Sequence, residues 1–178
     1  MRKYLILIII LFSTSSFADS LEEQLTWNYQ CTKAKDKCWL EKLVTYSTPK
    51  GEKQGGVAVA YDNKNQKPMF ITIGAIKGLP IKSEILIRFL DSVQVNGEWK
   101  IKPADDGFIG VPIMECSEKS CTAKVYPDIK TSDGSNVNLF EELKKRNLLW
   151  VAFKLDGEEY SYMVPVSGIN KALEEIKK

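Results

Sequence analysis

Apolar and polar residues alternate along most of this chain, the period of a β-strand with one covered face. Trp27, Tyr29 and Cys31 alternate with polar neighbours, and after a polar turn over residues 32–37 the alternation resumes through residues 38–46. There Cys38, Leu40, Lys42, Val44 and Tyr46 share one face, and Trp39, Glu41, Leu43 and Thr45 the other. Both faces carry apolar side chains, so both are expected to be partly covered. Residues 47–56, with Pro49, Gly51, Gly55 and Gly56, read as a connecting loop of turn formers. Residues 57–61 and 69–76 are predicted strands around a polar turn over 62–67. Gly78-Leu79-Pro80 breaks the pattern, which returns over 84–90. Asn96-Gly97, set between residues 93–95 and 98–101, is a strong hairpin signal, as is Asp156-Gly157 between residues 148–155 and 158–166.

Residues 108–126 organise the rest. An apolar strand leads to Cys116, a polar tip follows, and an alternating strand leaves from Cys121. After Tyr126, residues 128–136 are polar. Asn138, three before Glu141, then caps a predicted helix through Arg146, with acids leading and Lys144, Lys145 and Arg146 trailing, as suits the helix dipole. Residues 167–178 form a second short helix, with Ile169, Leu173 and Ile176 on one side. About nine closely spaced strands with two late helices predict an all-β, mostly antiparallel sandwich or barrel.

Compartment changes how the cysteines are read. Arg2 and Lys3 precede an apolar run over residues 4–12, and small residues lead to a break between Ala18 and Asp19. That order is the layout of a secretory signal peptide over residues 1–18, cleaved at Ala18–Asp19. The run is far shorter than the ~20 residues a spanning helix needs. Removing 18 of 178 residues leaves 160, suited to one domain over residues 19–178. It also takes 25 basic and 23 acidic residues to 23 and 23, so the product is formally neutral. Neutrality gives no support for a nucleic-acid partner.

Four cysteines in an exported chain are most simply two disulfides, with three pairings possible. The local pairing, Cys31 with Cys38 and Cys116 with Cys121, is expected because each pair brackets a short polar stretch between strands. Zinc-finger spacing is absent, and so is histidine, which excludes His-based triads and His-metal sites. Ser47-Thr48-Pro49-Lys50 fits an S-x-x-K spacing, but Pro49 and Gly51 argue against the helix that chemistry uses. The carboxylate pairs Asp105-Asp106, Glu141-Glu142, Glu158-Glu159 and Glu174-Glu175 are read as solvated surface, since adjacent side chains diverge. Trp27, Trp39, Trp99 and Trp150 could stack on a ligand, though aromatics in alternating strands more often belong to a core. No catalytic residue, cofactor or metal is expected.

The order of Trp27-x3-Cys31, Cys38, Gly78-Leu79-Pro80, the Cys116 to Cys121 hairpin and the closing Val164-Pro165-Val166-Ser167-Gly168-Ile169-Asn170-Lys171-Ala172-Leu173 resembles the invasion associated locus B family of exported bacterial proteins. The resemblance implies an immunoglobulin-like β-sandwich in the periplasm or at the outer surface, and no catalytic residues. Some members of that family are linked to entry into host cells. The chain departs from the pattern in the polar residues 131–136 and in Ile169, where an aromatic residue is common. Two functional expectations follow. One is a binding module that meets a host-cell or envelope protein, for which an exposed apolar patch would be the structural mark. The other is a periplasmic accessory protein that supports the envelope or holds a small ligand.

Overall fold

In the computed structural model, residues 26–96, 98–104, 107–130 and 134–178 are described. The predicted signal peptide and its cleavage site, Ala18–Asp19, lie outside the described residues, as do Asp105 and Asp106. Twelve strands and two short helices occupy the described residues. The strands are β1 (Asn28–Cys31), β2 (Lys37–Thr48), β3 (Gly51–Asp62), β4 (Lys67–Ile76), β5 (Glu84–Val95), β6 (Glu98–Pro103), β7 (Ile109–Cys116), β8 (Ser120–Val125), β9 (Asp128–Lys130), β10 (Asn136–Asn138), β11 (Leu148–Leu155) and β12 (Glu158–Pro165). Helix α1 (Leu139–Lys145) precedes β11, and α2 (Ile169–Lys177) follows β12.

All strand pairings are antiparallel, so the all-β, mostly antiparallel class holds. Ten strands form one sheet, nine of them in the order β1-β2-β3-β4-β8-β7-β5-β11-β12 and β6 paired to β5 off that path; β9 and β10 make a separate ribbon. The path folds back so that β12 touches β2 and β3 across the core.

Three sequence expectations need correction. The predicted loop at 47–56 is mostly strand: β2 runs to Thr48, a turn at Pro49 and Lys50 reverses the chain, and β3 begins at Gly51, with Thr48 facing Gly51 in an unbroken register up to Lys37 and Asp62. Gly55 and Gly56 mark close approach rather than a loop. A Cβ on Gly56 would lie 2.3 Å from the Lys42 carbonyl oxygen, and one on Gly55 would lie 2.5 Å from Tyr162 Cζ. Residues 84–90 and 93–95 belong to one continuous β5, which pairs first with β7 and then with β6. The polar residues 128–136 contribute β9 and the start of β10, giving twelve described strands where about nine were expected.

Elsewhere local chemistry and structure agree. Asn138 Oδ1 accepts from the Glu141 N–H at 2.9 Å and starts α1. Arg146 ends it, donating to Glu142 and, at 2.8 Å, to Asp91 of β5. Asn96 and Asp156 take the left-handed φ that two-residue hairpin turns require. Helix α2 is amphipathic and buries Ile169, Ala172, Leu173 and Ile176. It lies against β1 and β2, and Asn63 Nδ2 donates to the Ile176 carbonyl, while Phe140 of α1 meets the ring of Tyr61. The helices therefore cover the core at the end where β1 meets β2.

The core gathers Leu40, Val57, Val59, Ile71, Ile73, Ile85, Ile87, Phe89, Val111, Ile113, Leu149, Val151 and Val164, alternate residues of successive strands. Trp27 is part of it. Lys42, on the same face, is buried and donates from Nζ to the Thr26 carbonyl at 2.8 Å, so its charge has a polar partner. Tyr162 of β12 crosses the core, stacks on Tyr46 with ring centroids 4.8 Å apart, and places its hydroxyl between two strands. That hydroxyl donates to the Gly74 carbonyl of β4 and accepts from the Gly56 N–H of β3 at 3.3 Å. A residue from one end of the sheet path thus pins strands near the other.

Candidate functional site

The four cysteines fall into two cross-strand pairs. Cys31 is bonded to Cys38 and Cys116 to Cys121, each pair directly opposite in its ladder. The first bridge lies at the helix-covered end, and the second at the end where the β2–β3, β7–β8 and β11–β12 turns gather. Two disulfides suit an oxidising, exported setting. No helix among the described residues is long and apolar enough to cross a membrane.

Among the described residues, the other sequence motifs are engaged in turns and surface ion pairs. Ser47 and Thr48 end a strand, and the Thr48 hydroxyl serves its own turn, donating to the Gly51 carbonyl at 2.7 Å and accepting from the Lys50 N–H at 3.2 Å. Glu141 pairs with Lys144, Glu142 with Arg146, Glu159 with Lys154 and Glu175 with Lys178. Glu158 accepts from the Tyr160 hydroxyl at 2.8 Å. Among the described residues no three His, Cys, Asp or Glu side chains converge as metal ligands do.

The core tyrosines hold their protons. Burial, with a smaller contribution from the nearby Tyr160, pushes the Tyr46 hydroxyl up to about 12. Burial also raises Tyr162, against the opposing pull of the Gly56 N–H. Tyr160 is raised chiefly because its hydroxyl donates to the Glu158 carboxylate. These phenols are donors at neutral pH, and the buried Tyr46 hydroxyl has no hydrogen-bond partner.

Two surfaces stand out. The first is the outer face of β5, β11 and β12. Alternation fails on β5, where Ile85, Ile87 and Phe89 fill the core and Leu86 and Leu90 point outward; β12 keeps it, with Glu159 and Ser161 outward and Tyr160 and Tyr162 inward. In register, Leu86 lies beside Ala152 and Ser161, Arg88 beside Trp150 and Met163, and Leu90 beside Leu148 and Pro165. Phe108, just before β7, sits on this face with its ring 5.7 Å from that of Trp150 and with the Arg88 guanidinium 4.8 Å from its centroid. Leu86 is 42%, Met163 46% and Phe108 53% exposed. An apolar run without alternation is the pattern of a strand covered on both faces; here the second cover is water.

The second is a cleft of about 700 Å³ at the Cys116–Cys121 end. Gly56 and Gly74 face each other across β3 and β4, flanked by Leu43 on β2 and Thr122 on β8, so the middle of that row has no side chains. Ile76, Leu155 and Tyr160 add apolar surface. Lys50, Lys53, Lys77 and Lys119 line the cleft together with Glu41 and Glu52, and none of the four lysines is in an ion pair among the described residues.

Sequence reasoning named Trp150 as a candidate for stacking and the strand carrying Leu86, but did not place them on one face. It assigned no role to Gly74, Lys77 or Lys119; a glycine in an otherwise apolar strand was the available signal. Of the other tryptophans, Trp27 is core and Trp39 is 44% exposed on the outside of β2, while the side chain of Trp99 lies outside the described residues. The chain matches no protein-family model, no curated protein and no solved structure.

Proposed function

We propose that this protein is an exported, non-enzymatic binding module that meets a protein partner through the outer face of β5, β11 and β12. The observation that carries the reading is the solvated apolar face of Leu86, Phe108, Trp150 and Met163 around Arg88. Residues of this kind, aromatic side chains, Met and Arg in a contiguous patch, are those enriched where proteins bind one another. A rigid sheet presents them with little conformational entropy left to lose, because the backbone is already fixed by two ladders. The resemblance to the invasion associated locus B family adds the immunoglobulin-like sandwich and the periplasmic or surface location, and some members of that family are linked to entry into host cells. The fold-back of β12 over β2 and β3 supports a layered β body, and the two disulfides and the export-like amino terminus support an exported setting.

A strain carrying Leu86→Asp with Met163→Asp tests the proposal. Export and melting temperature should match wild type, since both side chains are half exposed, and attachment to host cells or recovery of an envelope partner by crosslinking should fall at least about tenfold, as loss of a buried anchor does. Unchanged attachment and crosslinking would remove the role of this face. Surface labelling that found the protein solely inside the periplasm would leave an envelope protein, not a host cell, as the partner. Amino-terminal sequencing of the exported product should begin at Asp19.

A further inference from the structure

The cleft at the Cys116–Cys121 end is lined mostly from β2, β3, β4 and β8, with Leu155 of β11 and Tyr160 of β12 added, and shares no residue with the cluster of Leu86, Phe108, Trp150 and Met163. Its floor is unusual because two facing glycines leave a trough in the outside of a sheet. Gly56 has no choice: its Cβ would strike the Lys42 carbonyl at 2.3 Å. Gly74 does have one. A Cβ there would meet nothing closer than the Gly56 nitrogen at 3.6 Å, an ordinary contact, so backbone packing leaves room for a side chain that the protein lacks. The Tyr162 hydroxyl, joined to the Gly74 carbonyl and the Gly56 N–H from the core side, holds the trough's shape.

Around this apolar trough stand four lysines from separate segments: Lys50 in the β2–β3 turn, Lys53 in β3, Lys77 just after β4 and Lys119 in the β7–β8 turn. Glu41 and Glu52 offset two of the charges, which leaves the cleft positive although the mature chain is neutral. A volume of about 700 Å³ falls within the range of small-molecule sites. An apolar strip on its floor with cations at the rim suits an extended hydrocarbon carrying an anionic head.

We propose that this cleft binds a single-chain alkyl carboxylate, with the chain along Gly56, Gly74, Leu43 and Ile76 and the carboxylate among Lys50, Lys77 and Lys119. Hydrocarbon burial supplies the affinity, and the lysines select for the charge.

Calorimetric titration of the intact, disulfide-bonded mature protein tests it with decanoate, decan-1-ol and acetate as probes. Decanoate should bind one to one, decan-1-ol about tenfold more weakly, and acetate not measurably, because an isolated head group has only exposed lysines to meet. Gly74→Val, whose Cβ meets nothing closer than the Gly56 nitrogen at 3.6 Å, should fill the trough and abolish decanoate binding. Lys77→Glu with Lys119→Glu, both exposed, should weaken decanoate about tenfold and leave decan-1-ol unchanged. Circular dichroism and melting of each variant establish that it folds; the double lysine variant alone decides the matter if Gly74→Val does not. Absence of saturable decanoate binding, equal binding of decan-1-ol, or wild-type decanoate affinity in the lysine variant would overturn the proposal. So would sedimentation of the protein with anionic phospholipid vesicles in the absence of decanoate binding, which would make the lysines a membrane-facing patch instead.

Discussion

A side chain at Gly55 would have nowhere to go: its Cβ would sit 2.5 Å from Cζ of Tyr162, a ring already stacked on Tyr46 and hydrogen-bonded across the sheet. Gly55→Ala should therefore destabilise the protein by about 1 to 3 kcal/mol, the usual cost of overpacking, read as a lower urea midpoint with unchanged slope. Tyr46 makes the opposite case. Its hydroxyl is buried without a partner, so Tyr46→Phe should leave stability at pH 7 unchanged or raise it by up to about 1 kcal/mol. The pH dependence has a definite sign. Above the ordinary tyrosine value of 10.0 the unfolded chain loses this proton while the folded chain keeps it until about 12, so the folded state binds more protons and stability falls as pH rises across that window. Tyr46→Phe should lose less stability between pH 10 and pH 12 than wild type, measured by urea unfolding at each pH; an equal loss would place the alkaline sensitivity on Tyr61, Tyr160 and Tyr162, which burial or hydrogen bonding also raises.

Among the elements, the two disulfides close loops between residues 7 and 5 positions apart and hold single hairpins. On chain entropy each contributes about 2 kcal/mol, small beside a bridge between distant segments. Replacing Cys31 and Cys38 by alanine, or Cys116 and Cys121, should cost about that much apiece, and the two losses should add, because the bridges lie at opposite ends of the sheet and share no neighbours. Denaturant titration of the two double variants and the quadruple variant checks this. The hairpins, turns and helices were legible in the sequence because each depends on residues within a few positions of one another: Asn138 with Glu141, Asp156 with Gly157. The strand status of residues 51–56 was not. Gly51, Gly55 and Gly56 read as turn formers, and the reason for two of them, the Lys42 carbonyl and the Tyr162 ring, comes from other strands. For Tyr162 that strand is 106 residues away.

At the scale of the whole molecule, the proposed docking face and the cleft share no residue of their central clusters and differ in physics. The face holds an apolar cluster around Arg88, while the cleft sets four lysines and two glutamates around a partly apolar floor. Raising salt from about 0.05 to about 0.5 M shortens the screening length several-fold. Decanoate affinity should drop by several-fold over that range, while partner binding through Leu86, Trp150 and Met163 should change by less than about twofold, as measured by titration and by crosslinking yield. Equal salt dependence of the two would mean that charge, not apolar burial, governs the face.

Residue order alone determined the β class, the oxidised cysteines' local pairing expectation, the capped helix and the absence of imidazole chemistry, since composition and short-range periodicity contain all of these. Only the tertiary structure decided which apolar residues remain in water and which glycines form a trough. Leu86 and Ile87 are alike as letters, and what separates them is whether another strand lies across that face of the sheet. Such facing is set by contacts between residues far apart in the chain, which no local pattern records.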